Sequence, residues 1–478
     1  MTGGFMQLVA IGAQDIYLTG NPMITYFKQV YRRHTNFAME SVCQTFNNYP
    51  DFGITSSSLI SRSGDLISSI YLQTTLPALP PAADANHYLT WTDDIGHHLI
   101  KQVDLTIGGQ LIDRHYGDWL EIWAQLSVPA EQIRGYREMI GQDPRSAFGI
   151  NTGLQKNNSQ ISDRTIYVPL QFWFCRNIGL ALPLIALQHH EVIITIKFRE
   201  ANELISHFDT RQGQGTIPVQ VPITSGLIDT NLWVDYIYLD VEERRRFAQI
   251  THEYLIEQLQ LNTAIIPCDS KIHSSTIELN LNHTIKELIW VVQSTGAVSN
   301  GHVQRSNYTD RSSINFPNAT SLKDLMYDVA TTSRAGSNNF RAFTNPSHCR
   351  PPDSLNPVVS AKLYINGNSR FAEQIGNYFN KMQPYRYHTS IPESPGINVY
   401  SFALKPELHQ PSGTCNFSRL NKAELVLTVR SGTDHNTHNE DNNITSSFLN
   451  TNGMLSVYGI NYNIFRIMSG MGALAYAL

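Results

Sequence analysis

Two stretches far apart in the chain, VDLTIGGQLIDRHYGDWL around Leu105 and AKLYINGNSRFAEQIGNYF around Leu363, share one plan. Leu105, Ile107 and Gly109 match Leu363, Ile365 and Gly367. Each glycine turn is followed by a Gly-polar-aromatic step, Gly117-Asp118-Trp119 and Gly376-Asn377-Tyr378. A second pair of blocks comes later in each half: EVIITIKFR ends at Arg199 and AELVLTVR ends at Arg430. A weaker third echo sets LWVDYIYLD near Tyr236 against INYNIFRI near Tyr462. One such match could arise by chance among β-rich stretches. Their shared order points to two β domains of similar topology.

The blocks themselves read as strands. Val192, Ile194, Ile196 and Phe198 alternate with Ile193, Thr195 and Lys197. The run Ile166, Val168, Leu170, Phe172, Phe174 alternates likewise, as do Leu232 to Tyr238 and Leu425 to Val429. Period two with β-branched and aromatic residues predicts sheets with one buried face. Helical patterns are few: Asp118 to Leu126, and a short segment near the start. There Asn21-Pro22 offers a cap and a first-turn proline, Ile24, Phe27 and Val30/Tyr31 recur at helical spacing, and Lys28, Arg32 and Arg33 suit a helix end. The pattern alone favours a helix packed on its own domain over an arm that docks a neighbour. The class is mainly β, with sandwiches or barrels expected.

Charged residues make up only 16% of the 478, against roughly 25% in ordinary soluble domains. Such a surface suits a subunit that hides area against other copies. The formal charge of −5 argues against direct nucleic-acid binding, which needs a clustered basic surface. Cys43, Cys175, Cys268, Cys349 and Cys415 are odd in number, scattered and without a CxxC pair, so they read as reduced thiols. Met1-Thr2-Gly3-Gly4-Phe5 lacks the basic and apolar regions of a secretory signal, and the apolar stretch Ile178 to Leu187 is too short to span a bilayer. The expectation is a soluble protein made in the cytosol.

The seam between the halves is expected at Asp240 to Phe247, a charge run (DVEERRRF) read as a solvated linker. Arg244-Arg245-Arg246 within it could hold an anion, but an exposed linker is the simpler reading. Ser127 to Asp163 and Ser294 to Asn356 read as long surface excursions, a kind of loop that is usually functional or intermolecular.

Catalytic and cofactor motifs are not evident. There is no GxSxG, P-loop or dinucleotide fingerprint, and Gly108-Gly109 is a hairpin signal. His189-His190-Glu191 would diverge on a strand, so these read as structural histidines, not metal ligands. His435 and His438, with Asp434, Glu440 and Asp441, form a polar cluster that could hold a cation weakly, but a solvated loop is the simpler reading. Asn-x-Ser/Thr sequons occur at Asn157, Asn282, Asn307, Asn318, Asn416 and Asn443, a number that an Asn-rich chain yields by chance. Asn307, Asn318 and Asn443 stand as candidate glycan acceptors. Phe172, Trp173 and Phe174 read as core and interface residues on a strand.

Several of these stretches resemble the major capsid proteins of nucleocytoplasmic large DNA viruses. The opening GGFMQLVAIGAQDIYLTGNPMITYFKQVYRRHTNFAMES, the central IYVPLQFWFCRNIGLALPLIALQHHEVIITIKF and LWVDYIYLDVEERRRFAQITHEYLIEQLQ carry the resemblance. So do KELIWVVQ, INVYSFALKPELHQPSGTCNFSRLNKAELVL and the closing NYNIFRIMSGMGALAYAL. The blocks are collinear and span nearly the whole chain.

The resemblance implies a double jelly roll: two tandem eight-stranded antiparallel jelly rolls, perpendicular to a capsid surface, with a short N-terminal helix and long surface loops. It implies a virion structural protein without cofactor or catalytic residues, forming homotrimeric pseudo-hexagonal capsomers of an icosahedral shell. Neighbouring capsomers, minor capsid and penton proteins would be its partners. The expected boundaries are 1–40 for the arm and helix, 41–240 for the first jelly roll, 241–249 for the linker (Glu242, Glu243, Arg244, Arg245, Arg246) and 250–478 for the second. The resemblance assigns the arm, with Asn21, Pro22, Ile24, Phe27, Lys28, Tyr31, Arg32 and Arg33, to the inner, membrane-facing side, reversing the preference from pattern alone. The loops Ser127 to Asp163, Ser294 to Asn356 and Ser431 to Ser447 match no family motif, so surface glycans stay open. The alternative is a jelly-roll carbohydrate-binding or surface-attachment module.

Overall fold

The computed structural model describes residues 3–79, 87–141, 163–209, 226–267, 272–295, 305–308, 356–430 and 452–476. Sixteen strands carry the architecture, eight in each half. The first half has β1 (Phe37–Gln44), β2 (Thr55–Leu59), β3 (Leu66–Leu76), β4 (Ile100–Ile107), β5 (Gln110–Tyr116), β6 (Arg164–Pro169), β7 (Val192–Phe198) and β8 (Ile228–Leu239). The second has β9 (His252–Ile266), β10 (Ile272–Glu278), β11 (Thr284–Ser294), β12 (Val358–Ile365), β13 (Asn368–Ser369), β14 (Asn398–Ser401), β15 (Ala423–Arg430) and β16 (Gly453–Met468).

The two halves have the same topology. In the first, one sheet runs β1-β8-β3-β6 and the other β2-β7-β4-β5. In the second the orders are β9-β16-β11-β14 and β10-β15-β12-β13. Adding eight to each strand number turns one half into the other. Two antiparallel sheets with four main strands each in this order, extended in places by short two- to four-residue strands, form a jelly roll, so the chain is a double jelly roll. All three sequence echoes fall on equivalent strands: β4 with β12, β7 with β15, β8 with β16.

Local chemistry explains the repeat. The β4–β5 turn places Gly108 and Gly109 at φ 58° and 80°, and the β12–β13 turn places Asn366 and Gly367 at 49° and 80°. Positive φ at both central residues is the type I′ signature, whose twist matches paired strands. Gly117 and Gly376 are equivalent in a second way. A Cβ at Gly117 would lie 2.1 Å from the Ile100 carbonyl oxygen, and one at Gly376 would lie 2.2 Å from that of Val358. Both positions bring the chain against the strand before the hairpin, and both lead into helical segments, Gly117–Ser127 and Tyr378–Tyr387.

Burial follows the alternation. Inward-facing Leu72, Val103, Leu105, Ile194, Ile196, Leu232, Val234 and Tyr236 fill the first core. Leu288, Trp290, Leu363, Leu425, Leu427 and Val457 fill the second. The first core does not stop at its own sheets. Ile256, Leu259, Ile289, Val291, Tyr458, Ile460 and Phe465 from the second half pack into the same apolar cluster. The outer face of the β9-β16-β11-β14 sheet is therefore buried against the first jelly roll.

Several sequence expectations change here. Residues 21–33 are not helical; the helices at this end are Gly3–Val9 and Ile16–Thr19. Asn21 takes φ 50° ahead of Pro22, which disfavours the helical region for the preceding residue. An isolated short helix is marginal in water without a surface to bury its apolar stripe, and residues 20–41 are all exposed. The Asp240 to Phe247 run is no irregular linker but the start of the Val241–Gln249 helix. Asp240 caps it by accepting from the Val241 amide at 2.8 Å, Glu242 and Glu243 occupy the first turn and Arg246 the last. Arg244 pairs with Asp65 at 3.0 Å, Arg245 with Glu242 at 2.8 Å, and Phe247 packs on Leu66, Ala181 and Ile237. The alternation at Ile166 to Phe174 is strand only as far as Pro169, which cannot donate to a further rung. Trp173–Arg176 is a helical turn, though Phe172, Trp173 and Phe174 are buried as expected.

Candidate assembly interfaces

Three surfaces could serve assembly: the seam between the jelly rolls, the outer sheet face of the first jelly roll, and the N-terminal arm.

The seam is built by β5, by the helix that follows it at the glycine step, and by the turn after β6. The Gly117–Ser127 helix presents Trp119 to Tyr458 of β16, ring centroids 5.3 Å apart. From β5, Asp113 accepts from the Leu259 amide at 3.1 Å, and the Ile112 carbonyl accepts from Gln258. The Trp173–Arg176 turn sets Trp173 against Phe465 and Arg176 against Glu257 at 2.9 Å.

Charges lie buried among these apolar contacts. Lys286, with no solvent exposure, reaches Glu257 at 2.6 Å and donates to the Pro406 carbonyl at 2.6 Å, beneath the Trp123 and Tyr462 rings. Burial pulls its ammonium below the ordinary lysine value, against the attraction of Glu257 and Glu287. Next in sequence, Glu287 faces His388 at 3.1 Å, and the other nitrogen of His388 meets Glu407 at 3.0 Å. Burial alone would depress the imidazole, but these two carboxylates outweigh it and raise it to about 9. A parallel set lies on the first half. Burial disfavours the Asp118 carboxylate, but Arg199 at 3.0 Å and His98 hold it well below the usual carboxylate range. Sequence reading missed this network. Its one signal was Lys286-Glu287 heading an otherwise apolar strand, a place where unpaired charge is not tolerated.

The outer face of the β1-β8-β3-β6 sheet is dressed differently. Trp233 and Tyr71 stack with centroids 6.4 Å apart and planes 6° from parallel, beside half-exposed Tyr167. Asp235 accepts from Ser41 and Ser69. These side chains are exposed or half-buried, whereas their counterparts in the second half are covered.

The arm is the most open apolar surface. Met23 and Phe27 are each 98% exposed, and Ile24, Tyr26, Val30 and Tyr31 are exposed too. Asn21, Pro22, Lys28, Arg32 and Arg33 lie on the same irregular segment. The predicted arm residues thus share one solvent-facing strip, without the predicted helix.

The remaining candidates disperse. His189 and His190 lie in a turn before β7, not on a strand; the His189 amide donates to the Gly470 carbonyl at 3.0 Å and His190 Nδ1 meets Gly472 O at 3.0 Å. They fasten the hairpin in which β16 turns back into the short strand Met471–Leu474. Among the described residues no group of three or more His, Cys, Asp or Glu converges on a common point. Asn307 is 4% exposed, so its side chain is enclosed within the protomer and poorly placed to accept a glycan. Asn318, Asn443 and the His435 and His438 cluster lie outside the described residues. Cys43, Cys175 and Cys415 carry free thiols.

Comparison with known proteins agrees with this architecture. Residues 25–240 match the family model described as major capsid protein N-terminus, and residues 243–473 match that of the large eukaryotic DNA virus major capsid protein. The chain is 44% identical to the major capsid protein of Phaeocystis pouchetii virus and 39% identical to that of Paramecium bursaria Chlorella virus 1, each across 100% of both chains. Its fold matches the quasi-atomic model of the PBCV-1 virus capsid with TM-score 0.70 at 35% identity, covering 95% of this chain and 100% of that one. The Faustovirus major capsid protein shares the fold with TM-score 0.65 at 14% identity, over 96% of this chain and 94% of that one. Two like jelly rolls, joined through one continuous core and matched across both halves, place this chain in the large eukaryotic DNA virus major capsid protein family.

Proposed function

We propose that this major capsid protein forms homotrimeric, pseudo-hexagonal capsomers that tile an icosahedral shell. The observation that carries the reading is the identical strand order of the two halves. Three chains then supply six like jelly rolls around a threefold axis, so a trimer can occupy a near-hexagonal lattice position. The chain's task is mechanical: it forms an interface and makes or breaks no bond. Neighbouring capsomers, minor capsid proteins and penton proteins are its partners in the virion, and assembly takes place in the host cytoplasm. The division into jelly rolls at 41–240 and 250–478 with a helical connector at 241–249 fits the separate hydrogen-bonding of the sheets, but the arm at 1–40 is too long by about four residues, because β1 pairs with β8 from Phe37 onward.

The arm faces the inner side of the shell. Exposed Met23, Ile24, Tyr26 and Phe27 beside Lys28, Arg32 and Arg33 suit the boundary of an anionic membrane, where apolar insertion and basic attraction add. Light scattering on the purified chain tests the first claim: three chain masses are expected, and a stable monomer at all concentrations would refute it. Flotation with phosphatidylserine vesicles tests the second. Removing residues 1–36 should abolish vesicle binding and leave the oligomer intact, whereas undiminished binding would refute a membrane role for the arm.

A further inference from the structure

Arg305, Ser306, Asn307 and Tyr308 stand in sequence between β11 and β12 of the second jelly roll, yet their partners come mainly from the first. The Arg305 guanidinium donates to the Glu203 carbonyl at 2.9 Å and to its carboxylate at 3.1 Å. Ser306 Oγ meets His98 Nε2 at 2.8 Å and Asp94 at 3.3 Å. Tyr308 is buried and packs into the first apolar cluster. Two contacts reach back to the second half. Gln293 donates to the Arg305 carbonyl at 2.7 Å. The Tyr308 carbonyl rests on Gly396, where a Cβ would lie 1.6 Å from that oxygen. This short segment therefore clasps one jelly roll to the other.

His98 lies at the centre of the clasp, and its side chain has no solvent exposure. Nδ1 faces Asp118 at 3.2 Å and Nε2 faces Ser306. A carboxylate only accepts, so Nδ1 carries the hydrogen of the neutral ring and Nε2 accepts from the Ser306 hydroxyl. The charged and titratable neighbours come from every side. Asp94 and His97 flank His98 in its own turn, and the Gly117–Ser127 helix brings Asp118 and Glu121. Arg199 and Glu203 follow β7, and Arg305 comes from the clasp. The carboxylates are already committed. Arg199 holds Asp118 through both oxygens at 3.0 Å, and Arg305 holds Glu203. His97 at 2.7 Å and Gln125 at 2.8 Å hold Glu121, and Asp94 accepts from Ser306.

A proton added at Nε2 turns this acceptor into a donor. The Ser306 hydrogen must then turn to Asp94, the longer of its two bonds. The proton also puts a third cation into a cluster that already holds Arg199 and Arg305, where water cannot solvate it. Burial accordingly holds the imidazole below its ordinary value, against the pull of Asp118. Because the folded value is the lower, the contribution of the neutral ring is complete above about pH 6.5 and is lost as pH falls through the folded value.

We infer that Arg305–Tyr308 is a clasp that shuts the seam between the jelly rolls at neutral pH and is released in acid through His98. Acid then loosens one contact of the seam while its apolar contacts stay. The device lies within one chain and does not depend on the capsomer reading.

Hydrogen exchange of the full-length protein, read by mass spectrometry on the peptide holding residues 305–308, tests it. After correction for the intrinsic pH dependence of exchange, opening of the wild-type clasp should rise roughly tenfold or more between about pH 7.5 and pH 5. H98Q cannot take up the proton and should give a flat profile, with H98N as a second non-titrating variant. G396A pushes the Tyr308 carbonyl from its seat and should leave the clasp open at both ends of the range. A flat wild-type profile, or an equal rise in wild type and the two His98 variants, overturns His98 as the sensor. Wild-type exchange in G396A overturns the clasp itself.

Discussion

His388 should make the second jelly roll sensitive to alkali. It lies between Glu287 at 3.1 Å and Glu407 at 3.0 Å, with the edge of Trp123 against its ring. In the unfolded chain the imidazole titrates near 6.5, and in the folded protein at about 9. Because the folded value is the higher, the charged form stabilises the fold fully below about pH 6.5, and this contribution is lost as pH rises through about 9. At about 1.4 kcal/mol per pH unit, the shift corresponds to about 3 kcal/mol. Urea unfolding at fixed protein concentration should show that loss between about pH 6 and pH 9.5, as a lower midpoint at unchanged slope. The H388Q variant should begin less stable at the acid end and vary little across the same window. Equal pH dependence in wild type and H388Q would refute the reasoning, since the loss would then come from other groups.

Other outcomes follow from the same contacts. Replacing Lys286 by Met leaves Glu257 with only the Arg176 partner and the Pro406 carbonyl without a donor; stability in urea should fall by about 3 kcal/mol, as for other broken buried pairs. G117A and G376A should each lower the melting temperature, by an overpacking cost of about 1–3 kcal/mol, because the new methyl meets a strand carbonyl at 2.1 or 2.2 Å. Similar losses at both positions would support their equivalence, and a neutral variant at either would count against it.

Much of the fold was legible because strand alternation is a local signal. Val192 to Phe198, Leu232 to Tyr238 and Leu425 to Val429 are strands as read, and the repeated glycine turns mark the same hairpin twice because only certain residues take positive φ cheaply. The errors have physical causes. The helical spacing at Ile24, Phe27 and Tyr31 is present, but none of the described residues buries that stripe, so propensity alone does not hold a helix. The Val241–Gln249 helix was hidden by its charge, although Asp240 followed by Glu242, Glu243 and then Arg246 is a capped, dipole-matched helix start. The seam was legible least of all. Lys286, Glu257, Arg176 and His388 are far apart in sequence, and only the tertiary packing of one jelly roll on the other brings them together.

The central claim is that two equivalent jelly rolls per chain serve to build a six-part ring from three chains. Electron microscopy of the purified oligomer tests it most directly. The account predicts particles of three chains with a pseudo-hexagonal outline and six lobes of similar size. Compact particles with two lobes, or open head-to-tail filaments, would contradict it.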